Sequence, residues 1–318
     1  MRTIIIRGAM DVLTKKIIGI LRRDGRASYS DIARELATTR DSVAARVNPL
    51  FSSGELRVIA APHPRVLGLT VTAHLSIKVR GNAMRVVEQL EKLESLVLIT
   101  IVAGTFQLVA ETDVRDLAEL QQQVTMIRAM NDITEVQVLI YQRVLGSFFM
   151  GPEPAVSSLD LDEFDIAIIR RLQHNGRASY ADLAEHVGLS LSGCRVRLQR
   201  LLETGVVQIG AIPRRSDMTD DLVFGIGIIL RGDVTAAEQA LKAAPGLEFI
   251  ATTLGRFDLV ATVSFGALQE FNQLIASLVR LPQVSYCEQW LHARLVRERY
   301  EHTLDNLRVG AGSPGPTL

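Results

Sequence analysis

The chain repeats itself at a fixed offset of 151 residues. The run Gly25-Arg26-Ala27-Ser28-Tyr29 returns letter for letter as Gly176-Arg177-Ala178-Ser179-Tyr180, and eight of the sixteen positions between Leu21 and Leu36 are identical at this shift. Asp11–Arg143 aligns onto Asp162–Arg294 without insertion or deletion. Because this period is too long for a solenoid repeat, the chain is predicted to contain two copies of one whole module. Such a fusion mimics a two-fold dimer, so an intrachain pseudo-dimer is expected.

Composition places the chain among ordinary globular proteins. Its 318 residues are 47% apolar and 22% charged, and the formal net charge is zero, so any nucleic-acid-binding surface has to be local. Two cysteines, Cys194 and Cys287, favour a reducing compartment. The opening run is too short for a secretory signal, and Leu96–Ala110 is shorter than the ~20 residues of a membrane span. A cytoplasmic location without membrane contact is expected.

Each copy begins with a helix-turn-helix pattern, which is clearer in the second copy. Apolar periodicity and Ser caps predict three short helices, over Asp162–His174, Tyr180–Val187 and Leu191–Thr204. Ser179 and Asp182 resemble a capping box, and Gly188 supplies the turn before the third helix. Val206–Gly210 is predicted to follow as a small β wing.

The rest of each copy predicts a ferredoxin-like β-α-β-β-α-β unit. In the second copy the predicted order is strand Leu222–Leu230, helix Thr235–Ala244, strands Leu247–Leu254 and Phe257–Phe265, helix Leu268–Leu281 and strand Val284–Leu295. One face of such a sheet is bare, and we expect the two sheets to bury these faces against each other. Trp290 is expected in this core.

The fold class is therefore α+β, with two winged helix-turn-helix domains alternating with two ferredoxin-like domains. The predicted boundaries are 10–61, 66–145, 159–212 and 217–303, with a linker at 146–158 and a disordered tail at 304–318.

This order of motifs resembles the Lrp/AsnC family of bacterial regulators. The resemblance rests on four motifs: Leu161-Asp162-x-x-Asp165, Asn175-Gly176-Arg177, Ser190…Arg197-Leu198…Leu201 and Gly255-Arg256-Phe257-Asp258. It implies a transcription regulator that binds double-stranded DNA, with a second domain that dimerises and senses a small molecule, often an amino acid. It also implies further self-association, since family members form rings of dimers.

The third helix of the second copy is the predicted DNA-reading element. Leu191, Cys194, Leu198 and Leu201 recur at helical spacing and are expected to face inward, which leaves the polar side chains outward. The predicted DNA-binding residues are Ser190, Ser192, Arg195, Arg197, Gln199 and Arg200, with Arg40 and Arg46 in the first copy. The alternative is a solvated basic face. The family resemblance implies that Arg197 braces the helix or contacts a phosphate.

The first copy departs from this pattern. Pro49 stands where the second copy has Arg200, Ala44 replaces Arg195, and Asp41 replaces Ser192. Yet Asp11–Ala60 carries nine Lys and Arg against six Asp and Glu, whereas Asp162–Ala211 carries six against six. We expect the first unit to hold the DNA backbone nonspecifically and the second to read sequence, on an asymmetric operator.

The turn at Gly255-Arg256-Phe257-Asp258 is the predicted effector site. Gly255 permits close approach of a ligand, and Asp258 could accept a hydrogen bond from an ammonium group. The predicted ligand-binding residues are Thr253, Gly255, Arg256, Asp258 and Gly104. The alternative is an ordinary hairpin turn.

Two other functions remain open from sequence. Siroheme decarboxylases are built from paired units of this same fold and carry a histidine-rich segment on their middle strands, but those strands hold no histidine here. A fused interaction scaffold without DNA binding is the other alternative. The six histidines show no ligand spacing, so neither a metal nor a cofactor is predicted.

Overall fold

The computed structural model describes residues 11–147, 161–213, 222–300, 302 and 304. Most of the predicted linker, including Phe148-Phe149-Met150, and the tail 305–318 lie outside the described residues. None of the helices in the described part of the chain is long and apolar enough to cross a membrane.

Two small helical units, one from each copy, have the same make-up. Helical unit 1 comprises α1 (Val12–Arg23), α2 (Tyr29–Glu35), α3 (Arg40–Ser52) and β1 (Leu56–Pro62). Helical unit 2 comprises α6 (Glu163–His174), α7 (Tyr180–Val187), α8 (Leu191–Glu203) and β6 (Val207–Pro213). The predicted helices of the second copy agree with α6, α7 and α8 to within a residue at each end.

The helix caps explain these boundaries, with one correction. Asp162 and Asp165 form a reciprocal capping box at the start of α6. Ser179 caps α7 by accepting from the Asp182 N–H at 3.1 Å, but the predicted second half of that box is absent from the contacts of Asp182. The Asp182 carboxylate binds the Arg171 guanidinium at 2.9 Å instead, because a charged donor forms a stronger hydrogen bond than a backbone N–H.

The wing strands pair with each other rather than within their own units. β1 and β6 form a two-stranded antiparallel sheet in register from Leu56 opposite Pro213 to Pro62 opposite Val207. Helix α1 packs on β6, and α6 packs on β1. The two helical units therefore share one sheet and one hydrophobic core.

The exactly repeated pentapeptide lies at this junction. The Arg26 Nη1 donates to the carbonyl oxygens of Gly176 and Ala178, both at 2.9 Å. The Arg177 guanidinium donates in the same way to Gly25 at 2.7 Å and Ala27 at 3.3 Å. We call these two sets of contacts the arginine clasp. A two-fold contact needs the same self-complementary residues on both sides, which accounts for the repetition.

The tyrosines and glycines of the pentapeptide serve the same junction. The Arg26 guanidinium carbon lies 5.1 Å from the Tyr180 ring centre, and that of Arg177 lies 5.3 Å from the Tyr29 ring centre. A Cβ on Gly176 would lie 2.8 Å from the Val58 backbone oxygen, so only glycine fits against that strand.

We predict that Gly176→Ala destabilises the chain by about 1–3 kcal/mol, because the added methyl group overpacks the junction. Thermal unfolding followed by circular dichroism measures the effect. The matched control is Gly19→Ala in α1, where a Cβ meets nothing within 4 Å. That variant should gain up to about 1 kcal/mol from helix propensity. A Gly176→Ala chain as stable as the wild type would contradict the close approach.

The remaining elements form two ferredoxin-like units in the predicted order. The first contains β2 (Val71–Val79), α4 (Ala83–Leu90), β3 (Leu96–Ala103), β4 (Leu108–Val114), α5 (Leu117–Arg128) and β5 (Ile133–Ser147). The second contains β7 (Leu222–Leu230), α9 (Thr235–Lys242), β8 (Leu247–Leu254), β9 (Leu259–Phe265), α10 (Leu268–Val279) and β10 (Val284–Glu298). A short 3₁₀ turn, Pro64–Leu67, links helical unit 1 to the first of them.

The two sheets close into one eight-stranded barrel. The strand order is β10-β3-β4-β2-β5-β8-β9-β7, and pairs β5–β8 and β10–β3 join the two copies. The sequence pattern predicts facing sheets but not these shared edges. The edges form because β5 and β10, at 15 residues each, extend through bulges beyond their own sheets.

The barrel has helices outside and a core inside. Separate apolar clusters lie between each sheet and its own helices. The inner cluster combines residues of both copies, namely Val102, Val109, Leu139, Ala251, Phe257, Val260 and Trp290. Trp290 is only 8% exposed, which confirms its predicted place in the core.

Candidate nucleic-acid interface and barrel cavity

The outer face of α8 is polar apart from Val196, with Leu191 and Leu202 exposed towards its two ends. Cys194, Leu198 and Leu201 are buried as predicted. The prediction for Leu191 was wrong: its side chain is 50% exposed, because the first residue of the helix lies beyond the core that the later turns cover. The exposed residues that follow at helical spacing are Ser192, Arg195, Val196 and Gln199.

Val196 was missed in the sequence prediction. Its side chain is 68% exposed and stands beside Arg195 on the same face. An exposed valine at the centre of an otherwise polar helix face is the signal that could have identified it. Apolar side chains in this position can contact the thymine methyl group in the major groove.

Arg197 and Arg200 are turned inward onto α6. The Arg197 Nη1 donates to Asp162 at 2.9 Å and to Asp165 at 3.0 Å, and Arg200 also binds the Asp165 carboxylate. The Asp165 side chain is only 1% exposed. A buried carboxylate requires such partners. Arg197 therefore occupies the bracing position, and the expected outward direction of Arg200 is corrected by its ion pair.

Burial alone would lower the pKa of Arg197. Its hydrogen bonds to Asp162 and Asp165 outweigh that effect and raise the pKa above its usual value. Arg197 therefore stays charged in this half-buried position.

Helical unit 1 lacks both residues of the Asp165–Arg200 ion pair. Thr14 occupies the position of Asp165 and Pro49 that of Arg200, so the acid and its base are absent together. Asp11 and Arg46 remain paired at 3.5 Å. Pro49 is exposed within α3, and the helix continues past it to Ser52.

The exposed face of α3 also differs from that of α8. Its outward positions are Asp41, Ala45 and Asn48, and Arg40 lies 3.7 Å from Asp41. Asn48 accepts a hydrogen bond from the Tyr29 hydroxyl at 2.8 Å. This face offers no unopposed cation comparable to Arg195.

We predict that Arg200→Ala destabilises the chain by about 1–3 kcal/mol, because the buried Asp165 carboxylate loses one of its two arginine partners. The double variant Asp165→Thr/Arg200→Ala, which restores the Thr14 chemistry of the first copy, should recover part of this loss. Chemical denaturation of both variants measures the coupling. Gln199→Ala, one residue away and exposed, is the control and should change stability little. Equal losses in the single and double variants would contradict the coupling.

Arg195 lies at the border between the helical units. Its guanidinium carbon is 5.1 Å from the Tyr180 ring centre, the same ring that Arg26 of the arginine clasp contacts. The junction of the two copies therefore helps to position the most prominent exposed cation of α8.

The predicted effector turn is engaged in contacts within the chain. Asp258 accepts from the Leu230 N–H at 2.7 Å, and the Thr253 hydroxyl donates to the Phe257 carbonyl at 2.5 Å. Arg256 makes two hydrogen bonds to Glu288, at 2.7 and 3.1 Å.

The two glycines of the turns face the other copy. A Cβ on Gly255 would lie 2.8 Å from the Val138 backbone oxygen of β5, and one on Gly104 would lie 3.0 Å from the Trp290 Cβ of β10. These glycines let the joining strands approach closely, so barrel closure accounts for them.

A cavity of about 100 Å³ lies between the shared two-stranded sheet and one end of the barrel. We call it the barrel-end cavity. Pro62, Pro64, Leu98 and neighbouring residues form its apolar wall. Its charged and polar lining includes the carboxylates Glu111, Asp113 and Glu298, together with Thr72, His302 and Arg299. The Arg299 guanidinium donates to the Glu94 carbonyl at 2.6 Å.

The carboxylates of the cavity are held by neighbouring hydroxyl groups. The Tyr141 hydroxyl donates to Glu111 at 2.5 Å, and the Thr72 hydroxyl donates to Asp113 at 2.6 Å. His302 Nε2 lies 3.1 Å from the other Asp113 oxygen. Burial raises the pKa of Tyr141 well above its usual value, and the negative charge of Glu111 adds to the shift.

We predict that Tyr141 weakens the fold at alkaline pH. Because its folded pKa is raised, the neutral phenol contributes its full stability below the unfolded pKa of about 10, and this is lost as pH rises above it. Tyr141→Phe should flatten the alkaline fall in unfolding free energy, measured by urea titration. Tyr286→Phe, at a 51% exposed position on β10, is the control and should leave the curve unchanged. Identical alkaline profiles for wild type and Tyr141→Phe would contradict the shift.

The histidines and cysteines form no metal site in the part of the chain that the structure describes. His74 and His292 lie inside the barrel near Trp290, with ring centres 5.8 and 6.4 Å from it. Cys194 is buried in helical unit 2, and desolvation raises the pKa of its thiol.

Comparison with known proteins bears on both helical units. Residues 10–50 match the AsnC-type helix-turn-helix domain, and residues 161–208 match a winged helix-turn-helix DNA-binding domain. An HTH-type transcriptional regulator of Pyrococcus abyssi is 36% identical over 115 residues, which cover 36% of this chain and 73% of that protein. The leucine-responsive regulatory protein of Haemophilus influenzae is 32% identical over 131 residues, covering 39% and 79%.

The chain belongs to the Lrp/AsnC family. Its sequence relatives are HTH-type transcriptional regulators, and its two helix-turn-helix domains imply DNA binding. A glutamate uptake regulatory protein of Zymomonas mobilis is 30% identical over 138 residues, covering 39% of this chain and 81% of that protein.

The tandem arrangement itself has a solved counterpart. The siroheme decarboxylase NirDL covers 90% of this Lrp/AsnC chain and 93% of its own, with a TM-score of 0.59 and 16% identity. At that identity the likeness shows the shared tandem fold.

Proposed function

We propose that this Lrp/AsnC regulator reads DNA sequence with α8 and holds the DNA backbone with helical unit 1. The observation that carries the proposal is the exposed face of α8, formed by Ser192, Arg195, Val196 and Gln199. Arg suits the guanine edge, Gln suits adenine, and an apolar side chain suits the thymine methyl group.

The residues around this face fix the start and the orientation of α8. Ser190 caps α8 by accepting from the Gly193 N–H at 3.1 Å, and it lies 3.2 Å from the Ser192 hydroxyl. Arg197 and Arg200 fix α8 on α6 through Asp165. We assign base reading to the exposed set and orientation of the helix to these braced residues.

Helical unit 1 is assigned the weaker role because its face lacks a counterpart of Arg195. Arg40 is exposed at the start of α3, and Arg46 is half-buried beside Asp11. Arginines of this kind fix the protein on phosphates without carrying sequence information. An operator with two unequal half-sites follows.

We predict that Arg195→Ala weakens binding to a selected genomic fragment about tenfold or more and lowers discrimination against random DNA, since a bidentate base contact is worth about 1–3 kcal/mol. Arg40→Ala is the matched comparison in unit 1. It should weaken selected and random DNA alike and reduce the slope of log affinity on log salt by about one. Gel-shift titrations at several salt concentrations measure both.

Footprinting on the selected fragment provides the second check. Unequal protection of two half-sites is expected, and a perfect palindrome protected equally would contradict the division of labour. Unchanged affinity in Arg195→Ala would remove that residue from the reading face.

We further propose that the regulator responds to a small molecule bearing an ammonium group, such as an amino acid. The motif resemblance of the chain supports this proposal, as do the carboxylates that line the barrel-end cavity. The turn at Gly255–Asp258 stays a prediction as the effector site, because its polar side chains are already engaged within the fold.

A siroheme decarboxylase-like activity is the second candidate. It is favoured by one observation, the two histidines His74 and His292 whose rings both lie near Trp290 inside the barrel. The visible absorbance of the purified chain, alone and after addition of a tetrapyrrole, tests it. A bound chromophore lost in His74→Ala would support the enzyme over the regulator.

A further inference from the structure

We propose that the barrel-end cavity binds a small organic cation through its ammonium group. The proposal deepens the effector role proposed above, although binding itself does not depend on DNA. Three carboxylates, Glu111, Asp113 and Glu298, line one cavity of about 100 Å³. The Asp113 side chain is 5% exposed, so its charge is largely removed from water.

The Glu298 carboxylate already accepts from the Tyr300 hydroxyl at 2.5 Å. The cation is therefore assigned to Asp113 and Glu111, whose hydrogen bonds leave their charges in place. Thr72 and Tyr141 donate hydroxyl protons to Asp113 and Glu111, and such bonds do not neutralise either charge. A carboxylate can accept about four hydrogen bonds. An ammonium group has three donors and would satisfy the remaining lone pairs with charge-assisted bonds.

The size and walls of the cavity limit the ligand. About 100 Å³ corresponds to roughly three water molecules, at about 30 Å³ each in the liquid. Pro62, Pro64 and Leu98 provide an apolar surface for a short carbon chain. The site therefore suits a small alkylamine, a diamine or a small amino acid, which share the ammonium group.

The pseudo-symmetric counterpart of this place holds a cation of the chain itself. There Arg22 of α1 lies 3.6 Å from the buried Glu248 of β8. At the cavity, the residue equivalent to Arg22 is the neutral Gln173 of the second copy, and the residue equivalent to Glu248 is Val97 of the first copy, which lines the cavity. The acidic residues at the cavity are instead Glu111 and Asp113, whose second-copy equivalents are Thr262 and Ser264. One of the two pseudo-symmetric places thus contains an ion pair between the copies. The other contains acids with room for an external cation.

The same place connects to the sequence-reading unit. His302 lies 3.1 Å from Asp113, its carbonyl oxygen accepts from Gln173 Nε2 of α6 at 3.0 Å, and Leu304 is buried in the shared core of the helical units. A cation that binds Asp113 competes with His302. Occupation of the cavity would therefore alter the contacts that attach helical unit 2 to the barrel.

Isothermal titration of the full chain with n-butylamine, putrescine and L-alanine at neutral pH tests the site and separates the three sources of the ammonium group. Butyrate and n-butanol, which lack the positive charge, are the controls and should not bind. Asp113→Asn should weaken binding of the preferred amine about tenfold or more. His302→Ala, which removes the competitor, should strengthen it.

Two further variants keep the test decisive. Leu98→Phe introduces the residue that the second copy has at this position, Phe249, and should abolish binding by filling the cavity. Should Asp113→Asn fail to fold, as judged by its melting curve, Leu98→Phe decides the outcome. Ser264→Ala, the second-copy equivalent of Asp113, should bind as wild type does.

No binding of any amine by the wild type would overturn the proposal, as would equal binding by Leu98→Phe. Loss of binding in Asp258→Ala but not in Leu98→Phe would move the site to the predicted turn. The gel shift is scored separately. Binding of the amine without binding of DNA would support the cation site and overturn the regulator function. Binding of DNA without binding of any amine would overturn only the cation site.

Discussion

The joint core of the two helical units depends on the reciprocal arginine clasp between the two copies. Arg26 and Arg177 each bind the other copy's Gly-Arg-Ala backbone through charged donors. In the same junction, β1 of one copy pairs with β6 of the other. Neither helical unit has a complete sheet or core without the other. Since the contact is self-complementary, both copies of the pentapeptide have to stay the same, while residues away from the junction are free to differ.

Fusion into one chain allows an asymmetry that a homodimer cannot have. In a homodimer every substitution appears twice, so a change that suits one site is imposed on its symmetry mate. Here the positions of the Asp165–Arg200 pair of helical unit 2 are occupied by Thr14 and Pro49 in unit 1. In the barrel, the position of Asp113 is occupied by Ser264 in the second copy. In the helical units the acid and its base are replaced together, so unit 1 is left with no unpaired member of this ion pair.

Local patterns predicted the local elements well. The strands Leu222–Leu230 and Leu247–Leu254 were predicted to the residue, and the caps Ser179 and Ser190 placed the starts of α7 and α8. Contacts between distant residues were not predictable in this way. The partner of Arg200 lies 35 residues away on α6, and β1 pairs with a strand from the other copy. Gly255 of the predicted effector turn lies close to the Val138 backbone of β5, a contact that the turn sequence alone does not distinguish from ligand contact.

The two helical units are also tied to the barrel by different means, and this matches the roles proposed for them. Unit 1 is joined through the Arg22–Glu248 ion pair, which involves a buried carboxylate and costs free energy to separate. Unit 2 is joined through Gln173 and His302, where a neutral hydrogen bond leads to Asp113 at the cavity. A fixed unit suits the constant task of holding phosphates. A unit whose attachment a small cation can alter suits the task of reading sequence under control.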